Sequence, residues 1–157
     1  MSGQSREVHT VEVAGVVRSF PLFEVAPGVR IAIVNILGDT ELVTAASKAL
    51  ASSLQSLPID VLVTAEAKSI PLLYQLALDL KKAWIVLRKS YKPYMGDALQ
   101  AETMSITTGQ PQTLFLDEKD RVLIGGKNVV LVDDVISTGS TLQSMQMIVD
   151  KAGAKVV

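Results

Sequence analysis

Two acidic residues and a run of hydroxyl side chains lie close together near the carboxyl end of the chain. Asp133 and Asp134 directly follow the apolar residues 129–132, and residues 137–141 read Ser-Thr-Gly-Ser-Thr. An apolar strand would carry the acids to its carboxyl end, where open parallel sheets bind ligands. A hydroxyl-rich turn that enters a helix can direct backbone N–H groups and the helix dipole at a phosphate. Since carboxylates suit sugar hydroxyls, the combination predicts a sugar-phosphate site.

Each of these features also has an ordinary structural explanation. Acids often follow a strand, and serine or threonine often caps a helix. Here they occur together with Gly139, and a glycine permits positive φ or the close approach of a backbone to a ligand. The combination favours a binding site, whose candidate phosphate ligands are Ser137, Thr138, Gly139, Ser140 and Thr141.

Apolar runs alternate with amphipathic stretches before and after this motif. Asp39 or Thr40 can begin one helix, and Ser69 can cap another that has Pro71 in its first turn. Near-continuous apolar strands joined by helices indicate an α/β fold, an open parallel sheet flanked by helices. The predicted strands are 59–64, 84–87, 128–133 and 154–157, and the predicted helices run from about residue 40 to Pro58, over 69–82 and up to Lys151.

The first part of the chain has a different pattern. Segments 8–17 and 29–37 are rich in valine and isoleucine, and Pro21, Pro27 and Gly28 separate them, which predicts two strands joined by a turn. The length of 157 residues fits one domain. Because the sequence stops where the alternation requires another strand, we expect it to be truncated at its carboxyl end.

The composition restricts the classes of function. Fifteen lysines and arginines against 16 acids give a net charge of -1, which does not favour nucleic acid or an anionic membrane. The absence of cysteine excludes disulfides and thiolate chemistry, and His9 as the single histidine excludes a histidine-based triad or a multi-histidine metal site. Since there is also no apolar leader or membrane-length run, we expect a cytoplasmic protein.

The motif at residues 130–141 resembles the phosphoribosyl pyrophosphate signature of the type I phosphoribosyltransferases. That signature is an apolar run, two acids, two apolar residues and a Thr-Gly loop. The resemblance implies that Asp133 and Asp134 face the ribose hydroxyls and that residues 137–141 hold the 5′-phosphate. It also implies Mg²⁺ as cofactor, bridging pyrophosphate and ribose oxygens without a direct protein ligand.

Two further segments resemble the adenine phosphoribosyltransferase-like branch. Residues 64–69 look like its pyrophosphate loop, with lysine at the usual arginine position and serine at the usual glycine position. Arg-Lys-Ser-Tyr-Lys at 88–92 is similar to a basic segment of the same branch. The resemblance implies that Arg88 and Lys92 act in catalysis, and that pyrophosphate is bound by Glu66, Ala67, Lys68, Ser69 and Lys89. A surface lysine near a helix start and a solvated basic loop are the alternative explanations.

The family pattern is weaker elsewhere. Residues 90–111 are expected to form a mobile flap, but Thr107 stands where adenine-specific members carry a glutamate, with Glu102 upstream. The N-terminal β segment, residues 1–37, matches the base-binding hood in position, with 38–157 as the α/β core of the same domain. Phe20 and Ile31 are the candidate base contacts.

The implied function is transfer of a phosphoribosyl group from phosphoribosyl pyrophosphate to a purine-like base, by a homodimer as in the family. An alternative is a regulator that binds phosphoribosyl pyrophosphate with weak or no catalysis. Two others are half of a phosphoribosyl pyrophosphate synthetase, for whose ATP domain the length leaves no space, and an α/β domain without a small ligand.

Overall fold

The computed structural model describes residues 6–104 and 111–157. The elements before the middle of the chain are β1 (Val8–Val13), β2 (Val16–Ala26), β3 (Val29–Ala32), α1 (Thr40–Leu54), β4 (Val61–Ala65), α2 (Ile70–Leu80) and β5 (Ala83–Leu87). After a short 3-10 helix (Pro93–Met95) come β6 (Leu99–Met104), β7 (Pro111–Leu116), α3 (Glu118–Ile124), β8 (Asn128–Leu131), α4 (Ser140–Lys151) and β9 (Lys155–Val156).

A parallel sheet lies at the centre, with strand order β5-β4-β8-β9. Every residue of β4 is buried, which explains why its sequence is apolar except for Thr64. Leu62 and Val130 face a core shared with α1 and α2, whereas Val61, Val63 and Val129 face a second core beside α4. Helices thus cover both faces of the sheet, and the predicted fold class is confirmed.

The N-terminal strands form an antiparallel sheet of three strands in the order β1-β2-β3, which we call the hood. The prediction of two strands was wrong, because Ala14-Gly15 and Pro27-Gly28 each turn the chain. Pro21 lies inside β2, near the point where pairing with β1 ends and pairing with β3 begins. A missing N–H is tolerated there because it interrupts neither run of pairing.

Ion pairs attach the hood to the start of α1. The Asp39 side chain accepts from the Leu42 N–H at 3.1 Å, as expected of an N-cap. Arg18 of β2 donates to Asp39 at 2.6 Å and to Glu41 at 2.7 Å. The Arg18 hydrogen bond, followed by that of the Leu42 N–H, holds the pKa of Asp39 below its ordinary value.

The segment between β5 and β8 contains an antiparallel hairpin of β6 and β7 and the short helix α3, none of which the sequence pattern predicted. The hairpin packs on α4, where Ala101, Leu114 and Leu116 are buried in the second core. The predicted flap at 90–111 therefore includes an anchored strand, and its residues 105–110 lie outside the described residues. No helix in the described ranges is long and apolar enough to cross a membrane.

Candidate functional site

The carboxyl ends of three neighbouring strands bring the predicted site residues to one edge of the sheet. Ala65 at the end of β4 pairs with Leu87 at the end of β5, and Val63 pairs with Leu131 at the end of β8. The loops that follow β4, β5 and β8 therefore start side by side. Parallel pairing is the physical reason, since it aligns strand ends from distant parts of the sequence.

Asp133 and Asp134 form a close acid pair after β8. The Asp134 N–H donates to Asp133 Oδ1 at 3.0 Å. Burial, followed by a hydrogen bond with the Asp134 carboxyl group, raises the pKa of Asp133 to about 6. A carboxyl group whose pKa is raised in the free protein is stabilised in its charged form by a ligand that brings hydroxyl donors or positive charge to it.

The hydroxyl run forms a loop around a cavity of about 200 Å³ at the start of α4. Gly139 occupies the N-cap position of α4 with φ of 80°, a conformation that favours glycine. The Thr138 hydroxyl lies 3.2 Å from the Ser140 hydroxyl. Asp133 lines this cavity. All five predicted phosphate ligands line it as well: Ser137, Thr138, Gly139, Ser140 and Thr141. The arrangement offers hydroxyl and backbone N–H donors to an anion.

Gln112 of β7 also lines this cavity. Side chains alternate along a strand, so Gln112 shares the face of β7 that carries the buried Leu114 and Leu116. A carboxamide at a core-facing position next to a donor-rich loop is a further candidate ligand for a phosphate. Sequence reasoning missed Gln112 because it missed β7, and the alternation Gln-x-Leu-x-Leu at 112–116 was the available signal.

In the loop after β4, the side chain of Glu66 is bonded to other residues of the protein. The Glu66–Ala67 peptide bond is cis. Glu66 pairs with Arg88 at 2.6 Å and accepts from the Lys89 N–H at 2.7 Å. Burial acts to raise the pKa of Glu66, but the Lys89 and Arg88 hydrogen bonds outweigh it and hold that pKa below its ordinary value. The Glu66 hydrogen bond in turn raises the pKa of Arg88.

The three predicted lysines differ in their surroundings. Lys68 Nζ donates to the Val34 carbonyl oxygen at 3.3 Å, toward the chain that leaves the hood. Lys89 and Lys92 are exposed after the end of β5. Their shared position beside the loop after β4 leaves a local concentration of positive charge at the sheet edge, although the net charge of the chain is -1.

Ser69 does not present its hydroxyl to solvent. It is 2% exposed, and its Oγ lies 2.9 Å from Thr64 Oγ1 and 3.5 Å from Asp133 Oδ1. Thr64, fully buried in β4, donates to the Val132 carbonyl oxygen at 2.6 Å. Sequence reasoning missed Thr64 because threonine is common in β-strands, so its presence in an apolar strand did not indicate a site residue.

The two candidate base contacts do not lie together. Phe20 is 8% exposed and packs in the core between the hood and α1, whereas Ile31 is 41% exposed. Ile31 pairs with Phe23, three positions from Phe20, so Phe20 and Ile31 lie on opposite faces of the hood. A cavity of about 160 Å³ includes Phe20 and, among its lining residues, Asp134 of the acid pair.

A model of the phosphoribosyl transferase domain matches residues 34–157. The chain belongs to this family. It is 30% identical over 132 residues to the purine biosynthesis transcriptional repressor PurR of Bacillus subtilis, with 84% of this chain and 46% of that protein covered. It is 36% identical over 98 residues to the hypoxanthine/guanine phosphoribosyltransferase of Methanotorris igneus, covering 62% and 50%. The chain spans about half the length of these two relatives.

A solved structure supports the same family assignment. Adenine phosphoribosyltransferase from Rhodothermus marinus superposes with a TM-score of 0.68 at 26% identity, covering 96% of this chain and 77% of that one. The resemblance to the adenine phosphoribosyltransferase-like branch of the type I phosphoribosyltransferases is therefore confirmed. The parallel sheet and the N-terminal hood are both features of this phosphoribosyltransferase fold.

The predicted flap at 90–111 includes the residue pattern that differs most from the phosphoribosyltransferase family. Thr107, which stands where a glutamate is usual in the adenine-specific branch, lies outside the described residues. Glu102 is exposed on β6, and Thr113 Oγ1 donates to its Oε2 at 3.5 Å.

Proposed function

We propose that the protein is a phosphoribosyltransferase that acts on phosphoribosyl pyrophosphate and a purine-like base. The products are a nucleoside 5′-monophosphate and pyrophosphate. The observation that carries the proposal is the meeting, at one sheet edge, of the acid pair, the donor-lined cavity at residues 137–141 and the basic segment at 88–92. Phosphate, ribose and pyrophosphate each find chemically matched groups there.

The ribose 5-phosphate half of the substrate is assigned to the end of β8. The 5′-phosphate accepts hydrogen bonds from the loop at 137–141, where the N-terminus of α4 adds partial positive charge. The ribose hydroxyls donate to Asp133 and Asp134. As the C1′–O bond to pyrophosphate breaks, the two carboxylates stabilise the positive charge that develops on the ribose. In this assignment both acids accept hydrogen bonds from the ribose hydroxyls and stabilise positive charge, and neither has to act as a strong base.

The leaving pyrophosphate is assigned to the loop after β4 and the basic segment after β5. A ring nitrogen of the base forms the bond to C1′, the electron pair of the broken bond leaves with pyrophosphate, and the N–H proton of the base passes to the departing pyrophosphate or to water. Lys68, Arg88 and Lys92 supply positive charge to the departing group. Positioning and charge stabilisation thus provide most of the catalysis.

Mg²⁺ fits this donor set. The described ranges contain no group of three or more potential protein ligands for a metal ion. Mg²⁺ is often held by one or two carboxylates together with substrate phosphates, and the acid pair offers two carboxylates beside the phosphate cavity. Substrate oxygens would therefore hold most of the ion, with Asp133 and Asp134 nearby. When bound, it neutralises negative charge on the pyrophosphate.

The base is assigned to the side of the acid pair that faces the hood. The cavity of about 160 Å³ is lined by apolar side chains, among them Phe20, Leu42 and Leu72, with Asp134 as its charged member. An apolar cavity of this kind suits the faces of a planar ring. Its neighbour Asp134 would lie near the bond between base and ribose. Ile31 contributes to this side only from the outer face of the hood.

We also assign the protein to the cytoplasm as a homodimer. The homodimer is supported by exposed apolar side chains around the outer edge of the sheet, where Tyr74 and Trp84 stack edge to face at 5.8 Å between ring centroids. Leu78 and Tyr94 are exposed in the same part of the molecule. Apolar side chains that cluster on a surface are typical of an interface.

A second candidate function is a phosphoribosyl pyrophosphate sensor with weak or no catalysis. Two observations favour it specifically. The Arg88 guanidinium is already paired with Glu66, which leaves less charge for a leaving group. One relative of the chain, at 30% identity, is a transcriptional repressor of purine biosynthesis. Such a protein would keep the ribose-phosphate half of the site and lose the reaction.

The test is Mg²⁺-dependent release of pyrophosphate from phosphoribosyl pyrophosphate by the full-length gene product. Adenine, hypoxanthine, guanine, xanthine and orotate would be offered separately, with an Asp133→Asn, Asp134→Asn double variant as control. Release with one base, absent in the control, supports the enzyme and names its substrate. Tight binding of phosphoribosyl pyrophosphate without release by any base would favour the sensor, and no binding at all would contradict both.

A further inference from the structure

Ser69 stands at the N-cap position of α2 but does not cap the helix. Its φ of -79° and ψ of -5° are helical, and its side chain makes no cap hydrogen bond. The hydroxyl oxygen of a serine before a helix normally accepts a hydrogen bond from a backbone N–H of the first turn. The Ser69 hydroxyl is instead directed inward, at 2% exposure. The polar contacts of the Ser69 hydroxyl are therefore with buried groups.

Those contacts connect two loops of the site. Ser69 Oγ lies 2.9 Å from Thr64 Oγ1 and 3.4 Å from the Ala65 carbonyl oxygen, both on β4. It also donates toward Asp133 Oδ1 at 3.5 Å, across to the loop after β8. Thr64 reinforces the connection, since its hydroxyl donates to the Val132 carbonyl oxygen at 2.6 Å. Two buried hydroxyls thus bridge the loop after β4 and the strand end that carries the acids.

We propose that Ser69 is a positioning residue that orients the Asp133 carboxyl group, so that Oδ1 is held by protein donors and Oδ2 is left for the substrate. Asp133 Oδ1 already accepts the Asp134 N–H at 3.0 Å. A second donor on the same oxygen fixes the plane of the carboxyl group, and Asp133 itself lines the phosphate cavity. This inference rests on the proposed function, because it takes Oδ2 as the acceptor for a ribose hydroxyl.

The inference replaces the expectation that Ser69 binds pyrophosphate through its side chain. The Ser69 hydroxyl is buried against Thr64 and Asp133 and so does not contact a ligand at the surface of the loop. The backbone N–H groups of the same loop remain candidate ligands for pyrophosphate. Serine in place of the glycine usual at this position therefore gives the chain a link between its two substrate loops that a glycine could not make.

The test compares Ser69→Ala with Ser53→Ala, a matched control in α1 whose hydroxyl donates to the Ala49 carbonyl oxygen far from the acid pair. The first measurement is the pKa of the Asp133 carboxyl group by carbon-13 NMR. A hydrogen bond to a carboxylate favours the charged form, so its loss should raise this pKa in Ser69→Ala only. Asp134 is the ionisable group that faces Asp133, and its resonance is followed in the same spectra.

The second measurement is the affinity for ribose 5-phosphate together with kcat and KM for pyrophosphate release. Ser69→Ala should weaken ribose 5-phosphate binding or lower kcat by about fivefold, the range of one hydrogen bond, while the unfolding midpoint stays near that of the parent. Thr64→Val should act in the same direction, and Thr64→Ser, which keeps the hydroxyl, should restore the parent values.

The outcomes separate this inference from the proposed function. An unchanged Asp133 pKa in Ser69→Ala overturns the positioning role, and so does a loss of stability without a change in pKa or binding. Absence of pyrophosphate release in the parent protein counts against the enzyme alone. In that case, a raised Asp133 pKa together with weaker ribose 5-phosphate binding would still support the positioning role.

Discussion

The loops after β8 and after β4 reach the same edge of the sheet, but they differ in how their polar groups are engaged. After β8, Asp133 is an acid whose pKa is raised to about 6 by burial and by Asp134, beside a cavity lined with donors. After β4, Glu66 has a lowered pKa and is paired with Arg88. A ligand would therefore stabilise the charged form of Asp133 in the first loop, whereas the charge of Glu66 in the second loop is already neutralised by Arg88.

The largest expected effect tests the first loop directly. Replacing both acids, as Asp133→Asn with Asp134→Asn, should lower turnover by about 10²-fold or more, since preorganised charge is lost at the ribose. The measurement is steady-state pyrophosphate release with whichever base of the panel supports release in the parent protein. Near-normal turnover would contradict the assignment of the acids to the ribose and would remove the contrast between the loops.

Gly139→Ala should have the next largest effect, about a tenfold loss of affinity for ribose 5-phosphate, because an added side chain crowds a backbone that must approach phosphate. Calorimetry on the ribose phosphate measures it. Gly153→Ala is the matched control, since Gly153 has φ of 71° against 80° for Gly139 and neither Cβ would meet an atom within 4 Å. Both variants carry the same backbone strain, so equal affinities would argue against a phosphate at Gly139.

The single variant Asp133→Asn should stabilise the fold near neutral pH while it weakens activity. The pKa of Asp133 lies above its ordinary 3.8, so the acid contributes full stability below pH 3.8 and loses it as the pH rises through about 6. Asparagine does not titrate. Above pH 6 we expect a gain of about 1 kcal/mol, reduced from the full linkage value by solvent screening. Urea unfolding at pH 4 and pH 7 measures the gain, which should nearly vanish at pH 4.

Glu66→Gln should have the opposite sign in the second loop. The pKa of Glu66 is lowered in the folded protein, so its stabilising contribution is present above its ordinary 4.5 and is lost as the pH falls through the folded value. The variant should therefore be less stable by about 1 kcal/mol at neutral pH and equal to the parent in acid. Release of Arg88 should also strengthen pyrophosphate binding about threefold. Weaker pyrophosphate binding would mean that Glu66 itself contributes to the site.

Gln112→Leu should give the smallest effect, about a threefold loss of affinity for ribose 5-phosphate, the size of one neutral hydrogen bond. Leucine preserves the bulk of the side chain on the inner face of β7. Gln100→Leu on the facing strand β6, where the side chain is exposed, is the control. If both variants bind ribose 5-phosphate equally well, Gln112 lines the cavity without contacting the phosphate.

The parts of the fold that the sequence predicted correctly are those in which a local pattern is sufficient. β4 is apolar except for Thr64 because both of its faces are buried, and Asp39 begins α1 because its carboxylate accepts from the first turn. The run from the acid pair to α4 was similarly clear, since strand end, donor loop and helix start are consecutive in sequence. The family was correctly identified from that same run.

The elements that were not predicted depend on contacts between distant segments. The helix α3 has only seven residues, which is too short for a stable isolated helix, and it is held by the buried Ile124 and by the pair between Arg121 and Asp97. The strands β6 and β7 are stabilised by each other and by packing on α4. The alternation Gln-x-Leu-x-Leu at 112–116 is a signal for β7, but it is too short to distinguish a strand from a loop without those contacts.

By itself, the sequence determined which chemical groups the site contains and the order in which strands and helices deliver them, because both follow from residue type and local periodicity. Only the tertiary structure decided how those groups are engaged. Parallel pairing places Arg88 against Glu66 and the Ser69 hydroxyl between Thr64 and Asp133, across 22 and 64 positions of sequence. Burial and hydrogen bonding depend on such distant neighbours, so the ionisation and orientation of the site residues exist only in the folded chain.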